Sequence, residues 1–290
     1  MTVFSVVEPL LAQAARIRLG LDLIQTETQS ALHEFVEATL PGRVQTSEVR
    51  LEVMVGEPSG VILQTGRTRN ADLVVMGTHG LGGFRKFLLG STTDQVLRHA
   101  ECPVLAVPTG AVNAPAAEHP GVQLKKILLA TDFRESAIAA MEWAGNLAYE
   151  IGISLVLAHV VEPVIVPPPW QALVTDFEND RVASGRRMLG RLSATLPNTK
   201  NDCVISIGRP AETIASLAVE YGAGLVVMGL ANPEDPESRR PGSIAYRVLR
   251  TAHVAVVVVP RSEAYGAPDR PTDSQALESP EHIGQSSPQT

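Results

Sequence analysis

The chain contains itself twice, and no other feature constrains its fold as much. Val-Val-Met-Gly occurs at Val74–Gly77 and again at Val226–Gly229, an offset of 152 residues. Gly56-Glu57-Pro58 meets Gly208-Arg209-Pro210 at the same offset, as do Gly90-Ser91 with Gly242-Ser243 and Pro108 with Pro260. Further upstream, Val-Val-Glu-Pro at Val6–Pro9 recurs at Val160–Pro163, an offset of 154. A length of 290 residues admits two domains of ordinary size, and the repeat decides for two copies of one domain. The copies are placed at residues 1–108 and 123–260, joined by a linker rich in Ala, Pro and Gly over 109–122. Residues 261–290 are polar and lack an apolar period, which predicts a disordered tail.

Within the second copy, Lys125 to Ala130 reads as a strand that ends in Thr131-Asp132. Strands Leu155–Val161, Cys203–Ile207, Leu225–Met228 and Val254–Val259 then alternate with helices of about Ser136–Ile151, Val174–Leu196, Ala211–Tyr221 and Ser243–Thr251. Five near-continuous apolar strands alternating with helices imply a parallel sheet covered on both faces, doubly wound by right-handed crossovers. The first copy reads as strand Val3–Val7, one long helix of roughly Leu19–Leu40, strand Val49–Val55, helix Pro58–Arg69, strand Leu73–Met76, a helix from Ser91 and strand Val104–Val107. It has no counterpart of the second copy's first strand and helix. At the 154-residue offset, the match to Lys125 would fall about 29 positions before Met1. Either the native N-terminus lies upstream of Met1, or another segment or chain fills the gap. Strands beside it would otherwise hold unpaired backbone groups, each costing about 1–3 kcal/mol when buried.

The most informative stretch for chemistry follows Leu73-Val74-Val75-Met76. It carries Gly77, Gly80, Gly82, Gly83 and Gly90, then Ser91-Thr92-Thr93-Asp94, which reads as a capping box with Ser91 as the N-cap. Glycines let backbone N–H groups approach phosphate oxygens, and a helix N-terminus adds unpaired donors and the positive end of its dipole. The spacing matches neither the dinucleotide fingerprint nor a Walker A loop. It resembles the ATP-binding loop of the universal stress protein family, Gly, two residues, Gly, nine residues, Gly, Ser or Thr. The other reading of these glycines is a tight strand–helix connection with Ser91 as a plain helix cap.

That resemblance covers nearly all of the ordered chain and implies two tandem adenine-nucleotide-binding α/β domains of strand order 3-2-1-4-5, the first lacking strand 1 and helix 1. It further implies phosphates at Gly77, Gly80, Gly90, Ser91 and Thr92, an adenosine contact from the acid after strand 1, Asp132, and adenine against backbone after strand 2, at Val6 or Val160. In the second copy the loop positions are Gly229, Asn232, Gly242 and Ser243. Asn replaces the second glycine there, and Glu234, Asp235 and Glu237 place like charge where phosphates would sit, at about 1–4 kcal/mol each. Arg239 and Arg240 offset part of this. Neither copy therefore carries the whole pattern, the first lacking the acid and the second the better loop. For Asp132, a turn or capping role is the alternative.

Composition narrows the classes. A net charge of −7 supplies no basic footprint for nucleic acid. The longest apolar run, Val254–Val259, is too short to span a bilayer, and no secretory leader is recognisable at the start. Cys102 and Cys203 match no metal spacing and read as ordinary buried thiols of a cytoplasmic protein. His79, Arg85 and Lys86 sit in or after the glycine loop, where solvated charges need no function. His99 and His253 precede the last strand of each copy, where helix C-terminal charge placement explains them. No nucleophile, acid and base converge on a catalytic set. The expected function is an adenine-nucleotide-responsive regulator of the stress response that binds ATP, with or without magnesium. A nucleotide-free interaction scaffold is the alternative, and an adenine-nucleotide hydrolase has only architecture behind it. Strand 5 is an edge in the implied order, so a tandem chain is expected to pair its two fifth strands as a pseudo-dimer, with a homodimer as a further step.

Overall fold

Ile127, Leu128, Leu129, Leu155 and Leu157 have no exposed surface at all, and the sheet is built around them. In the computed structural model of the chain, the described residues are 1–18, 21–43, 48–78, 89–108, 124–167, 169, 171–196, 199–230 and 244–260. The linker and tail assigned from the sequence lie outside them.

The second repeat runs β5 (Lys126–Ala130), α5 (Glu135–Ile151), β6 (Ser154–Val161), α6 (Gln171–Ala194), β7 (Asn201–Ile207), α7 (Pro210–Glu220), β8 (Leu225–Leu230), α8 (Ile244–Thr251) and β9 (Ala255–Pro260). All neighbours within it are parallel, in the order β7-β6-β5-β8-β9, which is the expected 3-2-1-4-5. Strand residues alternate between two cores. Leu128, Ala130, Val226 and Met228 pack with α7 and α8, whereas Ile127, Leu129, Leu225 and Val227 pack with α5 and Leu189 of α6. Central strands are thus apolar at every position because both faces are covered. Gly152 ends α5 in the left-handed conformation (φ 69°) that a Cβ disfavours.

The first repeat runs β1 (Thr2–Val7), α1 (Pro9–Arg18), α2 (Leu21–Thr39), β2 (Arg50–Val55), α3 (Pro58–Thr68), β3 (Val74–Gly77), α4 (Ser91–His99) and β4 (Val104–Val107). One sequence expectation needs correction. The single helix expected over Leu19–Leu40 is the second of two, since Pro9 opens a further helix, α1; proline is well placed in a first helical turn. The four strands divide where the sequence placed no strand 1. β1 and β2 pair in parallel with each other only, while β3 and β4 extend the second repeat's sheet. Among the described residues, no strand takes the place between β1 and β3 that β5 takes between β6 and β8.

The two repeats meet through their fifth strands, as expected. β4 and β9 pair antiparallel, with Val104 opposite Val258 and Ala106 opposite Val256, which makes one seven-stranded sheet β3-β4-β9-β8-β5-β6-β7. One apolar core crosses this join, with Val96, Leu97, Val104 and Ala106 from the first repeat against Tyr246, Val256 and Val258 from the second. Arg98 bonds Asp94 through two nitrogens at 2.9 Å and lies 5.3 Å over the Tyr246 ring. The Asp94 carboxylate raises the guanidinium pKa above its ordinary value.

The third helix starts on a carboxylate in the first repeat and not in the second. Glu57 caps α3, accepting from Ser59 N–H at 3.1 Å, Gly60 N–H at 2.6 Å and the Ser59 hydroxyl at 2.7 Å. In α7 the cap is Arg209, with no side-chain bond, and Glu212 inside the first turn bonds Arg247 instead. The Ser59 hydroxyl, then the Gly60 and Ser59 N–H groups, hold the Glu57 pKa below its ordinary 4.5. A lowered folded-state value means that Glu57 stabilises above the unfolded pKa, and that this is lost as pH falls through the folded one. Glu57→Gln is therefore expected to lower the urea midpoint at neutral pH, with the gap to wild type closing below pH 4.5. A gap independent of pH refutes the charged cap.

Candidate functional site

At the carboxyl end of β5 the chain turns within three residues. Thr131 N–H still bonds the Ala158 carbonyl at 2.9 Å. Thr131 Oγ1 then accepts from Phe133 N–H, and Asp132 Oδ1 from Arg134 N–H, each at 3.0 Å. Side chains thus take over the backbone's partners where the ladder stops. They hold Phe133 at φ 65°, a region uncommon for a bulky residue. Its ring lies 4.4 Å from the ring of His159, tilted by 41°, and His159 Nδ1 is 2.8 Å from the Thr131 carbonyl. Asp132 therefore has the turn role that the sequence left open. Its carboxylate is 48% exposed, with Arg134 Nε 3.7 Å from Oδ2. Beside this turn, on the α5–α6 side, lies a cleft of about 190 Å³ lined by Phe133, Arg134, Ile138, Met188 and Arg191 among others.

β6 outruns β5. Their register ends at Ala130 opposite Ala158, whereas β6 continues to Val161. Val160 consequently pairs with Ser206 of β7 on one side and has passed the end of β5 on the other. Gly229, near the end of β8, lies across β5 from it. Asp132, Val160 and Gly229 thus come together at the carboxyl ends of three adjacent strands, where the chain first winds one way from β5 and then the other. Crevices for ligands in open α/β sheets form at this place. Gly229 also answers to packing, since a Cβ there would lie 2.1 Å from the Ser136 carbonyl oxygen and 3.0 Å from Ala137 N. Gly242 and Ser243 lie outside the described residues, as do Asn232, the acidic run and Arg239-Arg240.

In the first repeat, Gly77, Gly90, Ser91 and Thr92 gather at the carboxyl end of β3. Thr78 N–H bonds the Val107 carbonyl at 3.0 Å, and Gly90 N–H bonds the Thr78 carbonyl at 2.9 Å, which closes the neck of the loop. Residues 79–88, with His79, Gly80, Arg85 and Lys86, lie outside the described residues. The capping expectation is corrected here. Gly90, not Ser91, is the N-cap of α4, in extended conformation (φ −60°, ψ 145°) with no side-chain cap bond. The closed neck draws Gly90 into that position. Asp94 cannot cap because Arg98, one turn on, holds both its oxygens. Ser91 and Thr92 are then first-turn residues with helical N–H groups aimed out of the helix. Thr93 was missed by sequence reasoning. Its hydroxyl donates to the Gly77 carbonyl at 2.9 Å and ties the helix start to the strand end; the third hydroxyl of Ser-Thr-Thr, replaced by Ala245 in the other repeat, was the available signal. Val6 stands apart, paired with Met54 in the separate two-stranded sheet.

The remaining chemistry is sparse. Cys102 is partly buried and Cys203 is exposed on β7, so the expectation of two buried thiols fails for Cys203. Partial burial of each sulfur raises its thiol pKa, which disfavours a reactive thiolate. Among the described residues, no group of three or more His, Cys, Asp or Glu could hold a metal ion. No helix among them is long and apolar enough to cross a membrane.

Comparison with known proteins agrees with this geometry. A universal stress protein from Methanocaldococcus jannaschii is 35% identical over 86 residues, 30% of this chain and 49% of that protein, so the chain spans about half of that relative's length. One from Mycolicibacterium smegmatis is 28% identical over 218 residues, covering 71% of each chain. The crystal structure of a universal stress protein from Archaeoglobus fulgidus superposes with a TM-score of 0.58 at 22% identity, covering 91% of this chain and 86% of that one, a likeness of fold. The model of the Universal stress protein family matches residues 1–108 and again residues 123–260. The chain belongs to the universal stress protein family, which it carries as two successive copies.

Proposed function

We propose that this protein is a stress-response regulator that binds an adenine nucleotide, ATP first among them, with the phosphates seated at the start of α4 in the first repeat. The observation that carries this reading is the cap of α4: glycine where a side-chain cap would otherwise occupy the helix N-terminus, and the nearest acid, Asp94, bound by Arg98 instead. An uncapped N-terminus beside a glycine-rich segment offers N–H donors and the positive dipole end to an anion. Gly77, Gly80, Gly90, Ser91 and Thr92 would hold the phosphates, with magnesium as a counter-ion supplied by the nucleotide. Backbone at Val6 or Val160 would meet adenine, and Asp132 the adenosine of a nucleotide in the second repeat at Gly229, Gly242 and Ser243. The bound nucleotide acts as a signal in this reading, since among the described residues no nucleophile with a paired base converges there. ATP with magnesium should raise the melting temperature of the intact chain; a ligand at 100 times its Kd adds about 2.7 kcal/mol. Gly80→Val should abolish the rise. The reading fails if millimolar ATP with magnesium leaves the melting temperature unmoved.

One observation favours a second reading, a nucleotide-free scaffold of the same fold. Contact with the Ser136 carbonyl alone accounts for the glycine at Gly229. In the second repeat, part of the loop pattern would then persist for packing. An unmoved melting temperature supports this reading, while ADP accumulating with time would point instead to hydrolysis.

A further inference from the structure

Arg43, Arg67, Arg69, Arg98 and Arg247 each hold a carboxylate at 3.1 Å or less. Two arginines beside the β5 turn do not. Arg191, exposed on α6, has no carboxylate partner among the described residues. Arg134, at the start of α5, has Asp132 Oδ2 3.7 Å from its Nε, too far for a hydrogen bond, and its side chain is 69% exposed. Both line the cleft of about 190 Å³ between α5 and α6. The rest of that wall is largely apolar, with Phe133, Ile138, Met188 and Leu192, and no carboxylate among the described residues lines it. Phe133 is a fixed part of the wall, since its N–H bonds Thr131 Oγ1 and its ring rests against His159. Two unmet cations against an apolar surface, in a chain of net charge −7, ask for an anion with an apolar body. Size narrows the choice, because 190 Å³ falls below the roughly 300 Å³ at which pockets for drug-sized ligands begin.

We propose that the cleft between α5 and α6 binds a small organic monocarboxylate with a compact aromatic body, of about the size of benzoate. A guanidinium meets the two oxygens of a carboxylate through paired N–H donors, and Arg134 and Arg191 supply two such groups. The aromatic body lies against the Phe133 ring and the Met188 thioether, partners that favour a ring over an alkyl chain, with Ile138 and Leu192 completing the surface. A neutral ligand of the same shape leaves both cations unmet, and a small anion without the body leaves the apolar wall in water. The site does not depend on the nucleotide reading. It lies on the face of the sheet covered by α5 and α6, whereas α7 and α8 cover the other.

The test titrates sodium benzoate into the intact chain and follows backbone amide chemical shifts. Saturable shifts are expected at Phe133, Arg134, Ile138, Met188 and Arg191. Benzyl alcohol, which keeps the ring without the charge, and acetate, which keeps the charge without the ring, should each bind at least about tenfold more weakly. Arg191→Gln should weaken benzoate about tenfold, and Met188→Glu, which sets a like charge inside the cleft, should abolish binding. Both side chains are exposed, so the melting temperature of each free variant should stay at the wild-type value. Saturating ATP should leave benzoate affinity unchanged. The proposal is overturned by the absence of saturation in the millimolar range, by equal affinity for benzoate and benzyl alcohol or acetate, by unchanged binding in Arg191→Gln, by shifts that map elsewhere, or by displacement of benzoate by ATP.

Discussion

Gly229→Ala is expected to cost about 3 kcal/mol and to lower the melting temperature by roughly 10 °C. The added Cβ would stand 2.1 Å from the Ser136 oxygen and 2.5 Å from its carbonyl carbon. Both belong to backbone at the start of α5, so no rotamer change relieves the contact. Either α5 lifts from β8, which opens the core holding Ala140, Ala144 and Val227, or the end of β8 bends away from its pairing with β9. Each route disturbs fully buried surface, which places the cost toward the upper end for overpacking. Gly77→Ala is the natural contrast. Among its described residues that repeat has no counterpart of α5, and its loss should be clearly smaller. Equal losses at the two glycines, or a wild-type melting temperature for Gly229→Ala, would show that the close approach is not what requires glycine. Measured with and without ATP, the pair also separates a packing role from a ligand role.

Ala106→Asp should be more damaging still, at about 4 kcal/mol or more. Ala106 has no exposed surface, faces Val256 across the antiparallel join, and lies in the core shared by both repeats. An ionised carboxylate placed there meets apolar neighbours on both sides of the join. Because the core is continuous, both repeats should weaken together. Trp143 and Trp170 both belong to the second repeat, so tryptophan fluorescence reports on that repeat while far-UV circular dichroism reports on the whole chain. The two denaturation midpoints are expected to fall in step. A fluorescence midpoint left at its wild-type value while the dichroism loses amplitude early would show that the repeats fold separately.

Much of this was legible in the chain because the repeat made it so. Two aligned copies fixed the order of elements, and the fully apolar runs around Leu128 and Val257 marked strands covered on both faces. The pairing of β4 with β9 followed from the exposed edge that strand 5 would otherwise have. The errors arose where a local rule was outweighed by a distant partner. Ser91 with Asp94 satisfies the capping-box pattern, yet the Thr78–Gly90 bond moves the cap one residue back and Arg98 claims the acid. No helix was expected between Val7 and Leu19, yet Pro9 starts α1 there. The packing demand on Gly229 was invisible, since the Ser136 carbonyl that imposes it arrives from another element. Asp132 was ambiguous for a sound reason: a short carboxylate after a strand serves an Asx turn as readily as it meets a sugar hydroxyl, and its Oδ1 does serve the turn.

Because β4 and β9 run in opposite directions while each follows its own neighbour in parallel, β3 and β8 end on opposite rims of the common sheet. Gly77 and Gly229, in the last pleats of these strands, therefore lie toward opposite rims. Were the proposed nucleotides seated at both, neither would touch the other, and two signals would be held at once without competing for space.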